Sequence, residues 1–183
     1  ATSRRWKDPG SSSGTASTTG VIGLTIGGTV TLGIGTTFVA GSFTHNVAGD
    51  WTNNGGTFTS GNGTVYFIST TADQNINGSA TSQTFNNITV NKSGQTLAVG
   101  GSTTGLVFNG NLNLTTGYFN TGTALALNIP CNWTNNGGGF IPGLGTVTFN
   151  SSSRTQTIGG SNSDQLNSIQ QTNQELSGSS VYF

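Results

Sequence analysis

The segment that begins at Asp50 is read almost letter for letter again from Asn132. Asp50-Trp51-Thr52-Asn53-Asn54-Gly55-Gly56-Thr57-Phe58 returns as Asn132-Trp133-Thr134-Asn135-Asn136-Gly137-Gly138-Gly139-Phe140. The register continues: Gly63, Thr64, Val65 and Phe67 answer to Gly145, Thr146, Val147 and Phe149, and Gln74, Ile76 and Gly78 to Gln156, Ile158 and Gly160. It also runs backward, where Leu24, Ile26 and Gly28 match Leu106, Phe108 and Gly110. Repetition on this scale marks a stacked or tandem architecture, in which each unit buries its apolar face against the next.

The repeated material is strand-forming. Runs such as Val30-x-Leu32, Val65-x-Phe67, Ile88-x-Val90 and Leu125-x-Leu127-x-Ile129 place apolar residues two apart with Thr or Asn among the residues between, which puts one face inward and one outward. Gly or Asn-Gly follows nearly every run, as turns require. No stretch has a helical period. The best helix candidate, Asp164 to Leu176, lies in the register of strands in the first copy and is read as strand.

Two all-β architectures satisfy this pattern. One is a pair of tandem immunoglobulin-like sandwiches; the other is a parallel β-helix whose rungs stack. A finer period separates them. Ile26, Val47, Phe67, Ile88, Phe108, Ile129, Phe149 and Ile169 recur on a beat of roughly 20 residues. Nothing in a sandwich demands such a beat, whereas a solenoid must place a like residue above the last. The predicted fold is therefore a parallel β-helix (β-solenoid) of about eight ~20-residue rungs. It occupies residues 20–183 as two 82-residue repeats, 20–101 and 102–183, with two tandem sandwich units as the alternative. Residues 1–19, a Ser/Gly/Thr stretch after Arg4-Arg5-Trp6-Lys7, read as a flexible or strand-donating tail.

Stacking also accounts for the composition. Charged residues make up 5% of the chain, and a charge on an outer ladder would face its like at ~4.8 Å. The net charge is zero, so there is no electrostatic footprint for nucleic acid or for an anionic membrane. No apolar run is long enough for a transmembrane helix, and membrane insertion is not expected. A single cysteine, Cys131, excludes an internal disulfide and a thiolate metal cluster. Few Cys, no Met and little charge fit an exported bacterial protein.

The chemistry-bearing residues are sparse. Glycoside cleavage needs paired carboxylates on one face, yet Asp50 becomes Asn132 and Asp73 becomes Thr155 in the second copy. The single histidine, His45, becomes Leu127 and is read as a structural residue. The chain is expected to be no enzyme and to hold no metal or cofactor. Trp51 and Trp133, with Phe58 and Phe140, either fill rungs beside a tight turn or form an exposed platform that stacks on sugar rings. Trp6 in the tail and the closing Val181-Tyr182-Phe183, which reads as the start of a strand, are the candidate subunit contacts.

The run Asn132-Trp133-Thr134-Asn135-Asn136-Gly137, then Gly145-Thr146-Val147-Thr148-Phe149-Asn150, then Gln156-Thr157-Ile158-Gly159-Gly160 resembles the repeats of very large secreted surface proteins of gliding-type bacteria. The first copy keeps the same order and continues as Phe85-Asn86-Asn87-Ile88-Thr89-Val90. The resemblance covers residues ~24–176 and implies a secreted or cell-surface location with an adhesive or structural role. The function expected is thus that of an extracellular structural protein, a subunit of a surface filament or adhesin stalk. It would form a homo-polymer end to end or by strand donation. A module that binds surface glycans through exposed Trp and Phe is the alternative.

Overall fold

The computed structural model describes residues 22–151 and 155–162, together with the backbone of the short strands Thr15–Ser17, Asp164–Gln165, Ile169–Gln171, Leu176–Ser177 and Val181–Tyr182. Every strand ladder is parallel, and no helix occurs among the described residues. The chain is a β-solenoid in which each turn contributes a strand to each of three ladders.

The first ladder stacks Thr25–Ile26, Thr44–Val47, Thr64–Phe67, residues 87–90, residues 112–114, Trp133–Asn135, Gln156–Gly159 and Leu176–Ser177. The second stacks Val30–Gly33, Trp51–Asn54, Gln74–Asn77, residues 97–99, residues 118–120 and Gly139–Ile141. The third runs in two sections. Thr15–Ser17, Thr37–Val39 and Thr57–Thr59 form the lower one. Ser82–Phe85, Gly105–Phe108, Ala126–Ile129, Thr146–Phe149 and Ile169–Gln171 form the upper one. Backbone pairing lapses between the sections, and the Phe58 and Phe85 rings bridge them at 5.6 Å.

The β-helix expectation holds, and the rung count is corrected. Residues 25–149 make about six complete turns, and the later strands continue the same tracks. The regular beat overcounts because it changes ladders. Ile26, Val47 and Phe67 stack on one another in the first ladder. Phe108, Ile129 and Phe149 belong to the third. Ile88, in the first ladder, and Phe108 therefore lie in the same turn. Turns are also unequal and mostly longer than the beat: the step from Trp133 to its stacked partner Ile158 exceeds that from His45 to Val65.

The repeat does not close on itself. It holds three strands in each of three turns and two in a fourth, so the second copy starts one ladder out of step. Trp51 lies in the second ladder above Val30, while Trp133 lies in the first above Leu112. His45 is in the first ladder and its counterpart Leu127 in the third. The stack nevertheless runs unbroken across the boundary at residues 101 and 102, as one body.

One continuous core fills the axis, with Val47, Trp51, Phe67, Ile88, Phe108, Leu112, Trp133 and Phe149 among its fully buried members. Each large side chain so buried stabilises the fold by ~1.5–3 kcal/mol. Outward positions stack Asn46, Tyr66, Thr89, Asn113 and Thr134, uncharged as the ~4.8 Å spacing demands. Thr15–Ser17 pairs with Thr37–Val39 of the same chain, so part of the tail adds a strand to its own sheet. Trp6 and Phe183 lie outside the described residues, and for Val181 and Tyr182 only the pairing of their strand with Asp164–Gln165 is described.

The glycine of the repeated Gln-x-Ile-x-Gly has a specific cause. Gly78 has φ +116°, and a Cβ there would sit 2.1 Å from the Asn53 carbonyl oxygen of the turn below. Gly160 has φ +129° and would meet Asn135 at 1.9 Å. Both the left-handed backbone and the close approach exclude a side chain. Gly78→Ala is expected to cost at least ~2 kcal/mol in urea unfolding. Gly100→Ala, where a Cβ meets nothing within 4 Å, should stay within ~0.5 kcal/mol.

Candidate functional site

The Trp-Thr-Asn-Asn-Gly-Gly corner forms in the same way in both copies. Asn53 Oδ1 accepts the Gly55 N–H at 3.0 Å, and Asn135 Oδ1 accepts that of Gly137 at 3.2 Å. These Asx turns bend the chain out of the strand. The preceding tryptophan faces inward and is fully buried in both copies. Trp51 packs edge-on against Phe58 with centroids 4.6 Å apart, and Trp133 against Phe140 at 4.7 Å. The sugar-stacking platform is therefore corrected: Trp51 and Trp133 expose no ring face, and Phe58 and Phe140 lean on the core. Alternation along Trp51–Asn54, with residues 51 and 53 inward, places them there.

The polar residues of the repeat are clamps. Gln74 is wholly buried; its Nε2 donates to the Val47 carbonyl at 3.0 Å and also to that of Gly49, and its Oε1 accepts the Ser69 N–H at 3.1 Å. Gln156 repeats the set on Ile129, Cys131 and Ser151 at 2.6, 2.7 and 2.9 Å. Each amide ties a corner to the turn below and satisfies groups that cannot reach water. Asp50 Oδ1 accepts the Asn75 N–H at 2.7 Å, and Asn132 Oδ1 accepts that of Thr157 at 3.0 Å. The Asp/Asn exchange between copies thus keeps a side-chain acceptor for a backbone N–H.

His45 is fully buried. Its Nδ1 accepts the Leu24 N–H at 3.3 Å, its Nε2 lies 2.9 Å from the Ala40 carbonyl, and Phe38 stands edge-on to the ring. Burial lowers its pKa and the bond to Ala40 opposes that shift, so it is a neutral ring occupied on both sides.

Sequence reasoning missed Lys92, whose side chain is fully buried where the first ladder turns into the second. Its Nζ donates to Gln74 Oε1 at 2.7 Å, to the Ala72 carbonyl at 3.1 Å and to the Ser69 carbonyl at 3.3 Å. Three oxygens replace the water an ammonium loses. Burial lowers its pKa to about 8, with Asp73 and Asp50 pulling the other way. The signal was present: Ile88, Val90 and Lys92 are two apart, so alternation turns all three inward.

The outer surface is indented at one corner of the stack. A cleft of about 520 Å³ follows the corner between the first and second ladders, lined by residues 93–94, 116–118, 137–139 and Asn162. Tyr118 forms its wall. Among the described residues no three His, Cys, Asp or Glu side chains are grouped to hold a metal ion, and no helix is long and apolar enough to cross a membrane. Compared with family models, with curated proteins and with solved structures, the chain finds no match in any of the three.

Two outcomes follow. Trp51 Nε1 is buried without a partner, so Trp51→Phe should cost only ~1 kcal/mol and Trp51→Ala ~3–5 kcal/mol in denaturant unfolding. Lys92 has a folded pKa of about 8 against an ordinary 10.5. Between those values the unfolded chain binds more protons, so this group adds stability as pH rises through the window and withdraws it as pH falls. Unfolding midpoints measured from pH 7.5 to 10.5 should move in favour of the native protein relative to Lys92→Met.

Proposed function

We propose that this chain is a non-enzymatic, extracellular structural protein, a subunit of a surface filament or adhesin stalk that associates end to end. The observation that carries the reading is the one-sided pairing of two strands of the first turn. Among the described residues, Thr25–Ile26 pairs only with Thr44–Val47, and Val30–Gly33 only with Trp51–Asn54. Such an edge is a template for another strand, and stacking of like units is how solenoids extend.

Three features support the structural role. The buried polar residues are spent on holding turns together, as Gln74, Gln156, His45 and Lys92 are. The carboxylates of Asp50 and Asp73 accept backbone N–H groups of the next turn, Asn75 and Thr96, at 2.7 Å each. The resemblance of the repeats to bacterial surface proteins supplies the location, as a secreted or cell-surface protein.

Sedimentation velocity and negative-stain imaging test this. Assemblies that lengthen along one axis with rising concentration are expected, and a monomer at every concentration sinks the proposal. Thr31→Pro probes the edge itself. The Val30 N–H donates inward along the stack to Asp50 at 2.8 Å, so by strand alternation the Thr31 N–H faces the open side. Proline there removes an edge donor and should abolish assembly while leaving the fold intact.

A further inference from the structure

Tyr118 departs from the repeat in a coordinated way. Within the second ladder it stacks on Gly139, beside the pair Phe119↔Phe140. The corresponding pair of the first copy, beside Phe38↔Phe58, is Thr37↔Thr57. Where that copy has two branched side chains of like size, the second has one large ring and no side chain at all. The exchange is complementary in space: a Cβ on Gly139 would stand 2.5 Å from Tyr118 Cδ1 and 2.7 Å from Cε1. The ring therefore lies flat on the Gly139 backbone. At 46% exposure it is nonetheless the one exposed aromatic among the described residues.

A purely structural role would use the same pair, since an aromatic ring over a strand glycine fills the gap that glycine leaves. What packing alone does not call for is the cleft beside it. Gly94 and Gly117 adopt φ +95° and +77° and, with Gly138, present bare backbone to the cleft. The floor is thus low beside the exposed Tyr118 ring. The rim is polar and neutral. Thr116 is held by Asn91 Oδ1 at 2.7 Å and by the Ser93 N–H at 3.0 Å, and Asn162 Nδ2 donates to the Gly138 carbonyl at 3.2 Å. These polar groups are pre-set by bonds within the protein, so a ligand need not order them. Among the described residues no charged side chain lines the cleft.

From these features we infer that the Tyr118 cleft binds a neutral saccharide chain. Its volume falls in the ~300–1,000 Å³ range of small-molecule sites. A pyranose offers an apolar C–H face to the exposed ring and hydroxyls to amide and hydroxyl partners, which is the mixture this cleft presents. With no charge among the described lining side chains, a neutral ligand is favoured over phosphate, nucleic acid or an acidic peptide. The site rests on different residues from the proposed assembly edge, since the cleft is lined by corners of later turns and the edge by Thr25–Ile26 and Val30–Gly33.

Saturation-transfer NMR on the full chain tests the inference, with tetrasaccharides of glucose, mannose and N-acetylglucosamine as probes at millimolar concentration. Transfer to the ring protons of at least one is expected. Tyr118→Ala should weaken that binding at least ten-fold, and Tyr118→Phe should retain it within about three-fold. The double variant Tyr118→Thr with Gly139→Thr rebuilds the first copy's pair, so it keeps the sheet filled while removing the platform. It too should lose binding, with its unfolding midpoint checked alongside. No transfer from any of the three sugars overturns the inference. So does binding that survives in the folded double variant, which would leave Tyr118 as packing only.

Discussion

Each turn of this chain is hydrogen-bonded in parallel to the turns above and below, and that pairing dictates almost everything else. Parallel register brings residues at the same point of successive turns to ~4.8 Å. Whatever occupies one inward position must therefore tolerate a like neighbour. The His45, Val65, Ile88, Leu112, Trp133 and Ile158 column meets this with one polar member, whose two ring nitrogens are both engaged. Outside, the same constraint excludes rows of charge and favours Thr and Asn. Inside, Lys92 is the one buried charged side chain among the described residues, tolerated because Gln74, Ala72 and Ser69 offer it a complete set of oxygens.

The ladder also explains how a repeat can be out of step with its own fold. The three faces are of one kind, each a parallel strand with apolar residues inward. A corner built from Trp, Asn and Gly works equally well wherever two faces meet. Nothing then requires the repeat to make a whole number of turns, and it makes about three and two-thirds. The Trp–Phe contact, the Asx turn and the glutamine clamp are local devices that reappear one face round. Individual corners are free to diverge on that frame. The Lys92 cage in one copy and the Tyr118 cleft in the other are local departures of this kind.

The same frame gives two of the acidic side chains a part in the stack. Asp50 and Asp73 each accept a backbone N–H of the next turn, from Asn75 and Thr96.

Alternation and the repeat were legible from residue order alone, because a period of two and a second copy of the Trp-Thr-Asn-Asn-Gly-Gly corner are properties of the chain. They determined the all-β class, the parallel stack, the inward identity of Ile88, Phe108 and Phe149, and the structural part of His45. Lys92 was equally legible by alternation, but the usual expectation that lysine is solvated hid it. What only the tertiary structure decided concerns relations between turns. A sequence period does not say which face a residue lands on, so the beat through Ile88 and Phe108 ran on while the chain changed ladders. Nor does it say whether an aromatic beside a turn points out or in: Trp51 and Trp133 are sealed by Phe58 and Phe140 from the same turn. The exposed Tyr118, lying on a glycine of the next turn, became visible only when the two were stacked.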